Sequence, residues 1–594
     1  MAAESGVQRQ RGIVACVFAG IVVVALGVRL WGLDANTLTH EEIYVPGLSM
    51  PAYVSAPPPR STLAQTLSGT LHHDNHPPAY YAAMWFWDAA VGTGLFALRL
   101  PSALAGAATV ALLFLLVRRR DGAWTALTAA ALLALHGHHV FWSQRARMWV
   151  FLGALAVLSL LLLESLARRY RPRVAAAYVA VVALGLWTEY SFWPFVLAQI
   201  GYEAARRDSE PRLPVTLELL YFCIVAASPV MSFLTVHVGL ERTGYLAEAG
   251  LLDHLGGFLS LQWLLRGPAP GAVYGPVASL AVLALMAAGV VFLAVGLWPR
   301  KASRDRIRAV ETSPPRGLAL ASAAVPSAAM FAWWVSAERS VAVLAGAVLP
   351  WCLLAAHPLV VRAWPAVAAG LRVSSRRAAV RRFLGDPVGV HTLVPLVLLL
   401  ALSLLVPSVA ARSLLFLTPF ALWAVARGLA HAVPSVAPRL VVTAILGVGF
   451  AASIAQHTRT GMERWDYQSL ARVLRPEVVA GDVLLIRDAW YTQPMHYYFP
   501  PDRYRTARYE ADLSAAATNR VWVIVLDAKD AEAWNARPAP LRGYAIAHRV
   551  EAGGAYAVLL VPATRAAGTP TGSDSTEGQS VGHEQVGSDS AGRE

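Results

Sequence analysis

Charge is what this sequence has least of. Only 15% of its 594 residues are Asp, Glu, Lys or Arg, where an ordinary soluble chain carries about a quarter. Set beside 56% hydrophobic residues, that scarcity excludes a multidomain soluble protein and indicates an integral membrane protein. Cysteine is nearly missing too. Cys16, Cys223 and Cys352 all lie inside apolar runs, which excludes a disulfide framework and offers no metal-ligand spacing. There is no Gly-rich phosphate loop to provide for a nucleotide sugar, and there is no internal repeat. The net charge of +13 does not mark a nucleic-acid binder. The arginines fall in short clusters between apolar runs, which is the positive-inside pattern of a membrane protein.

What is present is a succession of apolar runs that arginine orients. Arg9 and Arg11 place the N-terminus inside. Ile13–Leu30 is long and has no small-residue cleavage site after it, so it reads as a retained first span. The run Pro77–Leu95 is Gly-broken and carries Asp88. A crossing there would put Arg118, Arg119 and Arg120 outside, so it reads as a juxtamembrane amphipathic helix. Regular alternation follows, including single spans over Leu213–Val236 and Ala272–Trp298, and gives about 13 spans. The expected fold is mainly α and polytopic, in the plasma (inner) membrane. Residues 1–456 form the transmembrane module, with 34–99 as its first outer loop. Residues 457–565 form a small extracytoplasmic α/β domain. Its strands are expected over Asp482–Asp488, Arg520–Ala528, Tyr544–Val550 and Ala555–Pro562, the last two as a hairpin. Its helices are expected over Tyr467–Leu474 and Asp530–Ala536. The polar tail 566–594 reads as disordered.

The stretch from Leu38 to Tyr81 stands out against this background. It gathers Glu41, Glu42, Asp74, His40, His72, His73 and His76 directly after the first span. Ionisable residues at a membrane edge are costly to hold and are functional candidates. Arg145, Arg147, Glu189, Arg242 and Arg412 fall on the same predicted outer side. Carboxylates can take a proton from a hydroxyl, and arginines can clamp a phosphate through paired hydrogen bonds. Together they suggest a substrate with an anionic head and a greasy tail. Plainer readings stand beside these. Glu41 and Glu42 could cap a helix, Asp74 could form an Asx-turn before Pro77-Pro78, and Arg147 could snorkel to headgroups. Arg145 reads as a solvated loop charge, and Tyr80 and Tyr81 as interface anchors. The run Tyr491–Tyr498 could touch an acceptor or simply pack. His72, His73, Asp74 and His76 are too close in sequence to close together on one ion, so a divalent metal is the less favoured reading and no cofactor is expected.

The segments RLWGLDANTLTHEEIY, DNHPPAYYAAMWFW, LRLPSALAG, VFWSQRARMWVF, LWTEYSFWPF and RSLLFLTPFALWAVARGL, in that order, carry a resemblance. The chain resembles the GT-C membrane glycosyltransferases that use polyprenyl-phosphate sugars, and most of all the glycosyltransferase 39 group of protein O-mannosyltransferases and aminoarabinose transferases. That family usually has Asp-Glu after the first span, with the first acid as general base. The resemblance puts Glu41 in that place and Glu42 second. Asp74 and His76 match the acid and histidine of the family's HPP element, Arg147 its SQxAR arginine, and Arg412 its late arginine. Trp149 and Ser413 stand where tyrosines are usual, and Glu189 where a histidine often follows threonine. The resemblance implies Glu41, Glu42 and Asp74 as catalytic residues. It implies His76, Tyr81, Arg147, Glu189 and Arg412 as substrate-binding residues. The implied activity is mannosyltransferase-like: inverting transfer of a sugar from a polyprenyl-phosphate carrier to the hydroxyl of a glycan, lipid or protein acceptor on the outer face. Two other classes remain open: a lipid or solute transporter, which commonly shows repeat-related broken helices, and a non-catalytic relative that binds or scaffolds.

Overall fold

A computed structural model describes residues 2–39, 42, 45, 62–73, 76–206, 215–239, 288, 290–297, 316–336, 341–371, 377–405, 411–460, 466–486, 495, 497–499, 505–507, 520–525, 543–552 and 555–563. Its long apolar stretches are helical, because a helix satisfies its own backbone polar groups where water cannot. The first half contains α1 (Ala2–Leu30), α2 (Leu63–His73), α3 (Ala79–Val91), α4 (Leu95–Asp121), α5 (Ala123–Leu135), α6 (Gly137–Ser143), α7 (Trp149–Arg168), α8 (Pro172–Thr188), α9 (Trp193–Arg206), α10 (Val215–Ala227) and α11 (Val230–Gly239). Then come α12 (Arg316–Ser336), α13 (Val341–Leu371), α14 (Arg377–Leu384), α15 (Pro387–Leu405), a 3-10 segment (Ala411–Leu417), α16 (Thr418–Ala432) and α17 (Val436–Thr460). Among the described residues, six helices are long and apolar enough to cross a membrane, and five shorter helices are apolar. The chain is a mainly α, polytopic membrane protein, as the composition implied.

Local chemistry sets the breaks. The expected juxtamembrane helix is α3. It stops at Gly92, whose φ of 101° strains any residue with a Cβ, and α4 starts anew after Gly94. The run 213–236, expected as one span, is divided at Ser228 and Pro229 into α10 and α11, because proline cannot donate the next helical hydrogen bond. Most of the span expected over 272–298 lies outside the described residues.

The C-terminal unit begins with α18 (Tyr467–Leu474), where the Asp466 carboxylate accepts from the Ser469 amide at 3.0 Å. Five strands follow: β1 (Val483–Ile486), β2 (Arg505–Ala507), β3 (Val521–Val525), β4 (Tyr544–Ala552) and β5 (Ala555–Pro562), in the order β2-β1-β3-β5-β4. β1 pairs in parallel with β2 and β3, while β5 runs antiparallel between β3 and β4. The four expected strands and the hairpin are all present, and β2 is an addition. Side chains alternate between the two faces. Val483, Leu485, Val521, Val523, Val558 and Leu560 form one small core. Leu484, Trp522, Ile524 and Leu559 face the other way, into a core shared with α18, Met495, Tyr498, Phe499 and the helical bundle. The helix expected over 530–536 and the tail 566–594 lie outside the described residues.

Candidate active site

The site is built at the bundle end where α1 finishes and α4 and α7 begin. Arg99, in the first turns of α4, is fully buried. A guanidinium has five N–H donors, and each has a partner here. Nε and Nη2 donate to Glu42 Oε1 and Oε2 at 2.8 and 2.7 Å. Nη1 donates to the carbonyls of Leu33 and Asn36, both at 2.9 Å, and Nη2 also to that of Thr37 at 2.8 Å. Glu42 accepts two further bonds, from the amides of Thr39 at 3.0 Å and Ala146 at 2.8 Å. Burial pushes its carboxyl upward, but the Arg99 charge and hydrogen bonds outweigh that, helped by the Ala146 amide and the Arg145 charge, and hold it at about 2. Buried and surrounded by donors, the carboxylate is held in its charged form. These bonds tie the loop after α1 to α4 and to the turn before α7 through Glu42.

That turn, Gln144–Met148, carries the next residue. The Gln144 amide donates to the carbonyls of Val28 and Trp31, both at 3.0 Å. Arg145, expected to be solvated, is buried and lies over the Phe141 ring at 4.0 Å. Arg147 points the other way, toward α3 and α8. Its Nη1 donates to the Tyr81 hydroxyl at 3.3 Å, and Nη2 lies 3.3 Å from His76 Nε2. His76 Nδ1 lies 2.7 Å from Glu189 Oε2. The guanidinium can only donate, so as a hydrogen bond this contact has Nε2 accepting, with Nδ1 left to face Glu189. Trp149 sits edge-on to His76, with ring centroids 5.4 Å apart, and the Arg412 guanidinium lies over the Trp149 ring, 5.7 Å from its centroid.

The structure therefore brings together His76, Tyr81, Arg147, Glu189 and Arg412, the last through Trp149. Glu42 is joined to Arg147 through the neighbouring Ala146 amide. Glu41 and Asp74 lie outside the described residues. The sequence reading passed over Arg99 and Arg29. Arg29 is also fully buried. It donates to the carbonyls of Ala134 and Leu133 at 3.0 and 3.2 Å and to Ser143 Oγ at 3.2 Å. It thereby satisfies the free carbonyl end of α5. Both arginines interrupt apolar runs, which is the signal that could have flagged them.

The opposite end of the bundle holds charge as well, in cross-links between helices. Glu164 pairs with Arg120 and with Arg206, and accepts from Tyr202. Arg427 bridges Asp121 and Asp386, each at 2.8 Å. Glu164, Asp121 and Asp386 are thus each matched to an arginine from another part of the bundle, as in a structural fastening. Among the described residues, no group of three or more His, Cys, Asp or Glu could hold a metal ion.

Residues 75–233 match the family model described as dolichyl-phosphate-mannose-protein mannosyltransferase. No curated protein matches the chain. Among solved structures, ArnT from Cupriavidus metallidurans bound to undecaprenyl phosphate is 14% identical with a TM-score of 0.42, covering 91% of this chain and 97% of that one. The archaeal oligosaccharyltransferase AglB from Archaeoglobus fulgidus, in complex with an inhibitory peptide and a dolichol-phosphate, is 13% identical with a TM-score of 0.41, covering 92% and 74%. Likenesses at that level carry no inference about this chain's site. Over the stretch that supplies His76, Tyr81, Arg147 and Glu189, the chain is similar to the dolichyl-phosphate-mannose-protein mannosyltransferases, and the membrane glycosyltransferase resemblance read in its sequence is borne out there.

Proposed function

We propose that the chain is a membrane glycosyltransferase that moves a sugar from a polyprenyl-phosphate carrier to an acceptor hydroxyl on the outer face of the plasma membrane, with inversion. The observation that carries this is the chain of contacts from Glu189 through His76 to Arg147, with Tyr81 and Arg412 beside it. An arginine whose direction is fixed by a histidine, itself fixed by a carboxylate, is preorganised for an anion. Arg147 and Arg412 are the candidates to hold the carrier phosphate.

In the proposed step, Glu41 removes the proton of the acceptor hydroxyl as its oxygen attacks the anomeric carbon. The bond from that carbon to the phosphate oxygen breaks on the opposite face, and its electron pair leaves with the phosphate. The released carrier gains one negative charge at the oxygen nearest the arginines, where electrostatic stabilisation lowers the barrier most. Glu42 holds the loop that carries Glu41 and takes no proton. Asp74, close in sequence to His76, is proposed to act on the acceptor side.

The test is transfer by purified protein from a polyprenyl-phosphate sugar, with Glu41→Gln alongside. Sugar transfer by the wild type and its loss in the variant, with unchanged thermal stability, supports the assignment. Equal transfer by both removes Glu41 as base. Movement of the lipid across a vesicle without consumption of donor favours a transporter instead.

A further inference from the structure

The C-terminal unit is fastened to the loop after α1 at its most sensitive point. Tyr498 belongs to the aromatic run that the sequence left between acceptor contact and packing. Its hydroxyl accepts from the Leu38 amide at 2.8 Å and shares a hydrogen bond with Thr37 Oγ1 at 3.2 Å. Thr37 Oγ1 also accepts from the Gln468 amide, at the start of α18, at 3.3 Å. Tyr497, next in the chain, donates from its hydroxyl to the Thr93 carbonyl at 3.2 Å, in the turn between α3 and α4. Tyr498 is itself held from behind, because Arg475 at the end of α18 donates to its backbone carbonyl through Nε at 3.0 Å and through Nη2. Burial raises the Tyr498 phenol, so it acts here as a neutral hydroxyl.

These contacts fall on the residues that Arg99 grips from the bundle side. Arg99 takes the Thr37 carbonyl, and Tyr498 takes the Thr37 hydroxyl and the Leu38 amide. The segment is thus clamped between α4 and the C-terminal unit, a few residues before Glu41. The face of the sheet behind Tyr498, with Leu484, Trp522 and Leu559, is continuous with the bundle core, so the unit is a docked support rather than a tethered module.

We propose that the C-terminal unit sets the position of the acid-bearing loop, with Tyr498 as the positioning residue. The proposal rests on the transferase reading for its kinetic consequence, but the contact itself can be tested without it. Tyr498→Phe removes one hydroxyl and keeps the ring. Hydrogen exchange of the Leu38 amide is expected to speed up by about 3- to 10-fold, the effect of one lost hydrogen bond. Transfer is expected to lose kcat by about 10-fold or more with donor KM within about 2-fold of wild type, because the carrier-phosphate residues stay in place. Thr37→Val leaves the Leu38 amide on Tyr498 but removes the Thr37 Oγ1 bonds to Tyr498 and to the Gln468 amide; it is expected to lower kcat in the same way and to speed exchange of the Gln468 amide, should Tyr498→Phe fold poorly. Unchanged exchange at Leu38 in Tyr498→Phe, or at Gln468 in Thr37→Val, overturns the clamp. Faster exchange with kcat per folded molecule unchanged overturns the positioning role and leaves packing alone. A wild type that exchanges as expected but transfers no sugar overturns the transferase reading, while the exchange comparison still decides the clamp.

Discussion

Replacing Arg99 by Met tests how the site's foundation is held. Met has about the length of the arginine stem and none of its five donors. Glu42 would stay buried with the Thr39 and Ala146 amides as donors and the Arg145 charge nearby but no paired guanidinium, and the Leu33, Asn36 and Thr37 carbonyls would lose their side-chain donor. Breaking one side of a buried ion pair costs about 3–5 kcal/mol, and each orphaned carbonyl adds about 1 kcal/mol. The pH dependence carries the sharper signature. A carboxyl held at about 2 when folded, against an ordinary 4.5, stabilises the fold above the unfolded value. That contribution, about 3 kcal/mol, is lost as pH falls through the range between those two values. In Arg99→Met the sign reverses, because burial, the largest influence on Glu42, outweighs what the Ala146 amide and the Arg145 charge still offer once Arg99 is gone, and pushes the carboxyl up. The variant is then destabilised most near neutrality and recovers relative to wild type as acid protonates Glu42. Thermal unfolding in detergent, followed by tryptophan fluorescence from about pH 7 to about pH 4, should show a wide gap that narrows in acid. An Arg99→Met protein as stable as wild type near pH 7, or a gap that stays constant with pH, refutes the reasoning.

His76→Ala removes the acceptor that orients Arg147, so initial rates at varied donor should show KM raised by about 10-fold, with kcat reduced less. Arg147→Lys should not restore donor affinity to wild type in a binding titration, because an ammonium lacks the planar fork that meets both Tyr81 and His76. Gly106→Ala places a Cβ 2.8 Å from Arg29 Nε. Overpacking of this kind costs about 1–3 kcal/mol and should lower the melting temperature while activity per folded molecule stays the same.

Much of the fold was legible because the bilayer imposes one rule on every span. Apolar length and arginine clusters marked the helices, and the Gly92 break kept α3 apart from α4. Ser228-Pro229 was equally visible in the sequence, but hydropathy alone runs straight through it, so α10 and α11 were merged. In the C-terminal unit, alternation marked β1, β3, β4 and β5. β2 spans Arg505–Ala507, too short for any period to show. For the site, residue type and resemblance identified His76, Tyr81, Arg147, Glu189 and Arg412, which meet in the structure. They could not separate two adjacent glutamates. Glu42 became an anchor only once Arg99, some fifty residues on, was seen beneath it. Tyr498 was left ambiguous for the same reason, since its partners Thr37 and Leu38 lie more than four hundred residues earlier.

The most direct measurement is the rate of sugar release from a polyprenyl-phosphate donor to an acceptor hydroxyl, by purified wild-type protein and by Arg147→Ala prepared in parallel. Steady transfer by the wild type, and a fall of at least about 100-fold in kcat/KM for a variant of matching thermal stability, is the expected result. Transfer that survives undiminished without Arg147 contradicts the assignment of this end of the bundle as the carrier-phosphate site.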